Sequence, residues 1–239
     1  MSSFRTSLHW PVQSRNENAL SSVNFDRVAR PYRWLEYMSF GPWLERCRNA
    51  QLAQLTGARH ALLLGDGDGR FLARLLKANP LLRADVVDSS HSMLCILDRR
   101  VRRCGTQFVQ RICLHHADAL EWSPEGSYDL IVSHFFLDCF FPGQLEQFFN
   151  RVLPHALPGA QWVISEFAIP RNAVAAYLAR GIISLLYRAF GLLTGLRVRA
   201  LPDYETALLR RGLVLTHNRR SLAGLLCSQV WTLPTPPQK

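Results

Sequence analysis

Residues 61–70, ALLLGDGDGR, decide the fold of this chain, because four apolar positions run straight into glycines at 65, 67 and 69. An apolar run of that length reads as a buried strand. Alternating glycines after it allow a tight turn whose backbone amides stay open to a ligand before a helix begins. The next punctuation is Asp88, 23 positions after Gly65, which closes the run ADVV and is followed by Ser89 and Ser90. Strand, glycine turn, helix and a second strand tipped by a carboxylate make one β-α-β unit of the nucleotide-binding kind. In such units the acid accepts hydrogen bonds from ribose hydroxyls. An NAD-type fingerprint would place its third glycine at position 70, where Arg70 stands, so a different nucleoside-containing cofactor is expected.

Working outward, the helix after the turn runs from Gly69 to about Ala78 and stops at Asn79-Pro80, ahead of a strand at 83–88. A second helix spans 91–103, with Ser89 or Ser90 as its cap and Gly105 past its end. A third strand, 108–115, leads to Asp118. YDLIVSH at 128–134 is apolar on both faces, as a central parallel strand requires, and a helix at 143–153 returns the chain to QWVISEF. Asp203 caps a short helix ending at Gly212, and strands at 213–219 and 225–232 form an antiparallel pair.

Between these lies a long apolar helix, 172–196, interrupted by Arg180 and Arg188. Two arginines near mid-bilayer cost about 2.5–3.5 kcal/mol each, so this segment reads as a lid or acceptor-pocket helix within an insertion at 171–211 rather than a membrane span. Tyr177, Tyr187 and Phe190 fall at helical spacing in it and read as packing residues, some of them facing the pocket. At the other end, residues 1–24 form an irregular lead. Tyr32–Phe40 and Trp43–Leu55 are helical, broken by Gly41-Pro42, so that 25–57 caps the sheet. One domain over 25–233 and a disordered tail at 234–239 complete the expected organisation.

Composition bounds the partners. A chain of 239 residues with 48% apolar content suits one α/β domain, and its net charge of +10 raises the question of an anionic partner, whether nucleic acid or a membrane surface. Lys77 and Lys239 are the only lysines among 28 basic residues, a skew of composition rather than a binding signature. The densest run, Arg99, Arg100, Arg102 and Arg103, falls at a helix C-terminus, where cations suit the dipole, and reads as a solvated helix end. Six cysteines are scattered without CxxC or Cys/His clusters, so neither a metal site nor a disulfide framework is expected. The opening MSSFRTSLHW lacks the continuous apolar stretch of a secretory signal, and a cytoplasmic protein is the expectation.

Glycine turn, acidic tips after the second and third strands and a terminal hairpin together resemble the class I S-adenosylmethionine-dependent methyltransferases over residues 25–233. ALLLGDGDG occupies the place of that family's VLDLGCGTG, with Gly65, Gly67 and Gly69 matching its glycines and Leu63 replacing its acid. The resemblance implies an α/β fold: a Rossmann-like, doubly wound, seven-stranded mixed sheet with a terminal antiparallel hairpin and N-terminal cap helices. It implies S-adenosylmethionine as cofactor and roles for particular residues. Asp66 meets the methionyl amine, and Asp88, in VDSSHSML, grips the ribose, with Ser89 and Met93 flanking the adenine. Asp118, in HADALEW, meets the adenine amino group, with Ala119 beside the ring edge and Trp122 as a wall. Ser133 and His134 stand near the transferred methyl. FDRVARPYRWLEY, with Phe25, Arg30 and Tyr32, resembles the helix that closes over the cofactor in ubiquinone-type and related small-molecule methyltransferases.

The expected function is transfer of a methyl group to a small, hydrophobic organic acceptor, with His134 as the base if the acceptor is a hydroxyl. Phe135, Phe136, Phe140 and Phe141 line an acceptor pocket or pack the core, and Asp138 reads as a helix cap, with support of a base as its alternative role. No NPPY-like tetrad follows the fourth strand, which disfavours nucleic acid, while peripheral membrane contact stays open. The rivals are a nucleic-acid methyltransferase, encouraged by the charge, and a non-catalytic S-adenosylmethionine-binding protein, encouraged by Leu63.

Overall fold

The computed structural model describes residues 42–170, 172–194 and 202–235. The expectations for the lead 1–24, for Phe25, Arg30, Tyr32 and the helix Tyr32–Phe40, for the side chains of Tyr187 and Phe190 and for 236–239 lie outside those residues.

Strand β1 (His60–Leu64) is apolar at every position but its first, and both of its faces are covered. Ala61 and Leu63 enter one core and Leu62 and Leu64 the other, the two-residue alternation of a strand clad on both sides. It pairs in parallel with β2 (Arg83–Asp88) and β4 (Tyr128–His134). Outside these lie β3 (Ile112–His116) against β2 and β5 (Ala156–Phe167) against β4, also parallel. Beyond β5 come β7 (Leu226–Thr232) and β6 (Val214–Ser221); β5 and β6 each pair antiparallel with β7, giving the order β3-β2-β1-β4-β5-β7-β6. This is the seven-stranded mixed sheet that the resemblance implies.

The helices are α1 (Pro42–Arg48), α2 (Arg70–Ala78), α3 (His91–Cys104), α4 (Thr106–Val109), α5 (Pro142–Val152), α6 (Ala173–Thr194) and α7 (Tyr204–Arg210). Phe71, Leu72 and Leu75 of α2 and Leu94, Leu97 and Val101 of α3 pack on Leu63, Val132 and Val230. Phe148 and Phe149 of α5 and Leu208 of α7 pack the other face, against Trp162 and Trp231. The caps expected for two helices form: Ser90 Oγ accepts from Met93 N (3.2 Å), and Asp203 Oδ1 accepts from Thr206 N (3.1 Å).

Three elements differ from their expected extent by more than two residues. The helix expected over Trp43–Leu55 stops at Arg48, where Asn49 Nδ2 takes the Glu45 carbonyl (2.6 Å) and Gln51 Nε2 is drawn to Ser228 O in β7 (3.0 Å). The third strand begins at Ile112 rather than near 108, because the chain after Gly105 coils first, Phe108 N donating to Gly105 O (3.1 Å). The fifth strand starts early, at Ala156, since Tyr128 pairs with Ala156 across a register shift and Gly159 N donates to Leu233 O (2.8 Å).

Candidate functional site

Backbone hydrogen bonds join the carboxyl ends of three strands into one rim. Gly65 N donates to Val87 O (2.9 Å), and Ala117 N donates to Asp88 O (3.2 Å). The glycine turn after β1, Asp88 at the tip of β2 and the segment running to Asp118 therefore lie side by side. Gly65, Gly67 and Gly69 all have positive φ, at 62°, 62° and 76°. At Gly69 an added Cβ would stand 2.6 Å from Leu97 of α3, so only glycine lets the turn descend onto that helix. At Gly67 nothing among the described residues lies within 4 Å of that position. Among those residues the turn is anchored below and open above.

Carboxylates crowd this turn. Asp66 folds back to α2, its Oδ2 accepting from Leu72 N (3.3 Å). Burial pushes its carboxyl up to about 7; the Leu72 amide and Arg48 oppose that rise, and Asp68 and Asp88 add to it. Asp68 is held by Arg70 Nε (3.0 Å) and by Arg100, whose Nε donates to Asp68 O (2.8 Å) and whose Nη2 meets Oδ2 (2.9 Å). The arginine run expected as a solvated helix end is thus partly engaged, with Arg102 paired to Asp98 as well (2.7 Å).

Asp88 accepts from Ser90 N through Oδ1 (2.9 Å), and the adjoining Ser89 presents its carbonyl to His116 Nε2 (3.0 Å). Met93, in the first turn of α3, and Ala119 are buried, while Asp118 is exposed and accepts from Leu120 N (2.9 Å). These residues come together around the rim. Trp122 packs on His115, with ring centroids 5.0 Å apart. Leu63 is fully buried among the side chains of α2, so the acids of the turn are Asp66 and Asp68.

At the tip of β4 the two expected residues face opposite ways. Ser133 is fully buried, and its hydroxyl accepts from Trp162 Nε1 (3.0 Å). His134 points to the α2 side, edge-on to Phe71 with ring centroids 4.5 Å apart, and neither ring nitrogen has a hydrogen-bond partner among the described residues. Burial, then the nearby Arg48, holds its pKa well below 6.5, so the ring is neutral. A buried polar group left unpaired calls for an explanation, and a bound ligand supplies one.

Beyond His134 the chain turns through Phe135, a non-glycine residue with φ of 53°. Glu166 at the end of β5 supports that turn. It is 1% exposed, and Oε1 accepts from Phe136 N (3.0 Å) and Leu137 N (2.8 Å) while Oε2 has no partner. Burial, then Asp138, drives its carboxyl well above the usual range. Asp138 is not the helix cap expected of it but lies buried within a 3-10 turn, Leu137–Cys139. Phe136 and Phe140 meet edge to face and both pack on Phe148 in the core, Phe135 rests on Phe167, and Phe141 is exposed. Glu166 escaped sequence reasoning, although an acid ending the apolar run QWVISEF carries the same mark as Asp88.

Residues 62–161 match the family model described as a methyltransferase domain. The fold matches an O-methyltransferase family protein from Burkholderia thailandensis at TM-score 0.64 and 14% identity, over 87% of this chain and 58% of that one. It matches the N-methyltransferase NodS from Bradyrhizobium japonicum WM9, solved with S-adenosyl-L-homocysteine, at TM-score 0.57 and 18% identity, over 80% and 88%. A putative O-methyltransferase from Nostoc punctiforme PCC 73102 matches at TM-score 0.61 and 18% identity, over 85% and 59%. The fold is that of the class I S-adenosylmethionine-dependent methyltransferases. This chain spans less than two thirds of the Burkholderia and Nostoc proteins. No curated protein matches it by sequence.

The cofactor that goes with a class I methyltransferase domain is S-adenosylmethionine, and the residues present fit it. Among the described residues nothing covers the backbone at Gly67, which offers a cradle, and Asp88 ends its strand beside that turn.

Proposed function

We propose that this protein is an enzyme that transfers a methyl group from S-adenosylmethionine to a small, apolar organic acceptor. The observation that carries this reading is the stitched rim, which sets the glycine turn, Asp88 and the approach to Asp118 within one arc. In this reading Asp88 accepts from the ribose hydroxyls and Asp118 from the adenine amino group. Ser89, Met93 and Ala119 flank the base, and the Gly65–Gly69 turn, through the backbone at Gly67 and with Asp66, meets the methionyl end. The bound cofactor supplies a methyl already activated on a sulfonium, so the chain's work is positioning and exclusion of water, with up to about 7–11 kcal/mol available from alignment alone. For a hydroxyl acceptor, the neutral ring of His134 takes the proton.

An apolar acceptor is supported by Phe141 near the β4 end and by the exposed Tyr177, Leu178, Ile182 and Leu185 of α6. Among the described residues no helix is long and apolar enough to cross a membrane. Engagement of Arg100 and Arg102 by aspartates counts against a phosphate-binding patch. Six free cysteines support a reducing, cytoplasmic setting.

Calorimetry with S-adenosyl-L-homocysteine, paired with a turnover assay over an acceptor panel, tests the reading. Asp88→Ala removes charge-assisted hydrogen bonds of about 1.5–3 kcal/mol each and is expected to weaken binding by about 100-fold or more with little change in Tm. Absence of binding by the wild-type chain overturns the reading. Tight binding without transfer to any acceptor leaves a non-catalytic binding protein, and turnover of polar metabolites alone removes the apolar acceptor.

A further inference from the structure

A second cluster lies on the sheet face that carries α5 and α7, about 10 Å back along β2 from Asp88 at some 3.3 Å per residue. It crosses four adjacent strands. Cys113 and His115 stand two apart on β3, so both point to one face, and Asp85 is the register partner of Cys113 on β2. His60 opens β1 and Tyr128 opens β4.

The polar atoms here divide into two shells. Asp85 Oδ2 is fully engaged, accepting from Tyr128 Oη (2.7 Å) and facing His60 Nε2 (3.2 Å), while His60 Nδ1 donates to Ser127 O (3.0 Å). Asp85 Oδ1 is thereby turned the other way, toward His115 Nε2 at 3.6 Å, too far for a good hydrogen bond. His115 Nε2 is buried and has no hydrogen-bond partner among the described residues. Ligand atoms of Asp85, Cys113 and His115 all lie within 4.8 Å of one another. Around a tetrahedral dication bound at about 2.0–2.3 Å, neighbouring ligand atoms sit about 3.3–3.8 Å apart. A modest rotation of Cys113, which is exposed, closes that gap and leaves the fourth corner to water.

We propose that Asp85, Cys113 and His115 bind one transition-metal dication of the zinc type, with His60 and Tyr128 orienting the carboxylate behind them. A thiolate, an imidazole and a carboxylate form a donor set suited to zinc or cobalt rather than to calcium or magnesium. The hydrogen bonds on Asp85 Oδ2 match the outer partners that hold a ligating carboxylate in place. The ion links β2 to the edge strand β3 and thereby pins that edge. Sequence spacing hides the site because its ligands come from two strands 28 positions apart, Asp85 and Cys113. His115 lies across from Val87, one residue short of the rim, and packs on Trp122, yet the proposal does not depend on the methyl-transfer reading.

Cobalt reports on the site directly. The full chain, stripped with a chelator and given one equivalent of Co²⁺, is expected to show thiolate-to-cobalt charge-transfer absorption that Zn²⁺ abolishes by displacement, together with a rise in Tm. Cys113→Ser is expected to lose the absorption, and Cys113→Ser and His115→Gln are expected to bind Zn²⁺ at least tenfold more weakly, each melting like the metal-free wild type. His60→Asn keeps the absorption and binds about 10–100-fold more weakly. A wild-type chain without charge-transfer absorption, or a Cys113→Ser chain that retains it, overturns the proposal and leaves a hydrogen-bonded network.

Discussion

Arg100, on α3, holds Asp68 of the glycine turn at two points, its Nε on the backbone oxygen at 2.8 Å and its Nη2 on Oδ2 at 2.9 Å. A helix that follows the second strand thus fixes the backbone of a turn that follows the first. Both side chains keep some exposure, so solvent screening limits the pair to about 1 kcal/mol. Arg100→Met is expected to weaken S-adenosyl-L-homocysteine binding by about fivefold through loosening of the turn, with Arg100→Lys in between. Unchanged affinity in calorimetry would show that the turn holds its shape without the clamp.

The Asp66 carboxyl titrates near 7 in the fold against 3.8 in an unperturbed chain. Across that window the folded state keeps a proton that the unfolded state has released, so stability is full below about pH 4 and declines as pH rises through 7. A cationic amine beside the carboxylate favours its charged form. Binding of the cofactor product is therefore expected to release a proton and to tighten between pH 6 and 8, and Asp66→Asn should flatten both profiles. Calorimetry in two buffers of different ionisation enthalpy measures the release.

Glu166 carries two backbone amides on one oxygen, and its charge is suppressed by burial. Glu166→Gln keeps the acceptor and is expected to cost less than about 1 kcal/mol, whereas Glu166→Ala strands the amides of Phe136 and Leu137 at about 1–3 kcal/mol each. Because the folded pKa is raised, the native glutamate loses stability as pH climbs above 4.5, a slope that Gln removes. Denaturant titrations at pH 5 and pH 8 read both effects.

For His134 the sign is reversed, since burial lowers the pKa of a basic group. The unfolded chain takes up a proton first as pH falls below 6.5, so stability drops there, while the ring stays in its base form at neutral pH. With a hydroxyl acceptor, His134→Ala is expected to lower turnover about 10²–10⁴-fold and to leave S-adenosyl-L-homocysteine affinity nearly unchanged. Turnover close to wild type retires His134 as the base.

Features set by neighbours in the chain were legible beforehand. β2 and β4 keep their expected bounds, α3 differs by one residue, and Ser90 and Asp203 cap as their positions suggest. Features set across the sheet were not. The early start of β5 depends on pairing with Tyr128 and on Leu233, 74 residues beyond Gly159, and the truncation of α1 on a glutamine drawn to β7. In the site, Asp66, Asp88 and Asp118 could be placed because each ends or follows a strand. The grip of Arg100 and the support from Glu166 rest on separations of 32 and 29–30 positions that no local pattern encodes.

The reversed strand β7 is the last of the seven in sequence yet sits inside the sheet, between β5 and β6. A nascent chain emerging in order therefore holds the outer edge of β5 unpaired, and β6 without any neighbour, until Leu226–Thr232 arrives to thread between them. Completion of the sheet waits on a non-local insertion, a step expected to be slow and open to self-association of the uncovered edge.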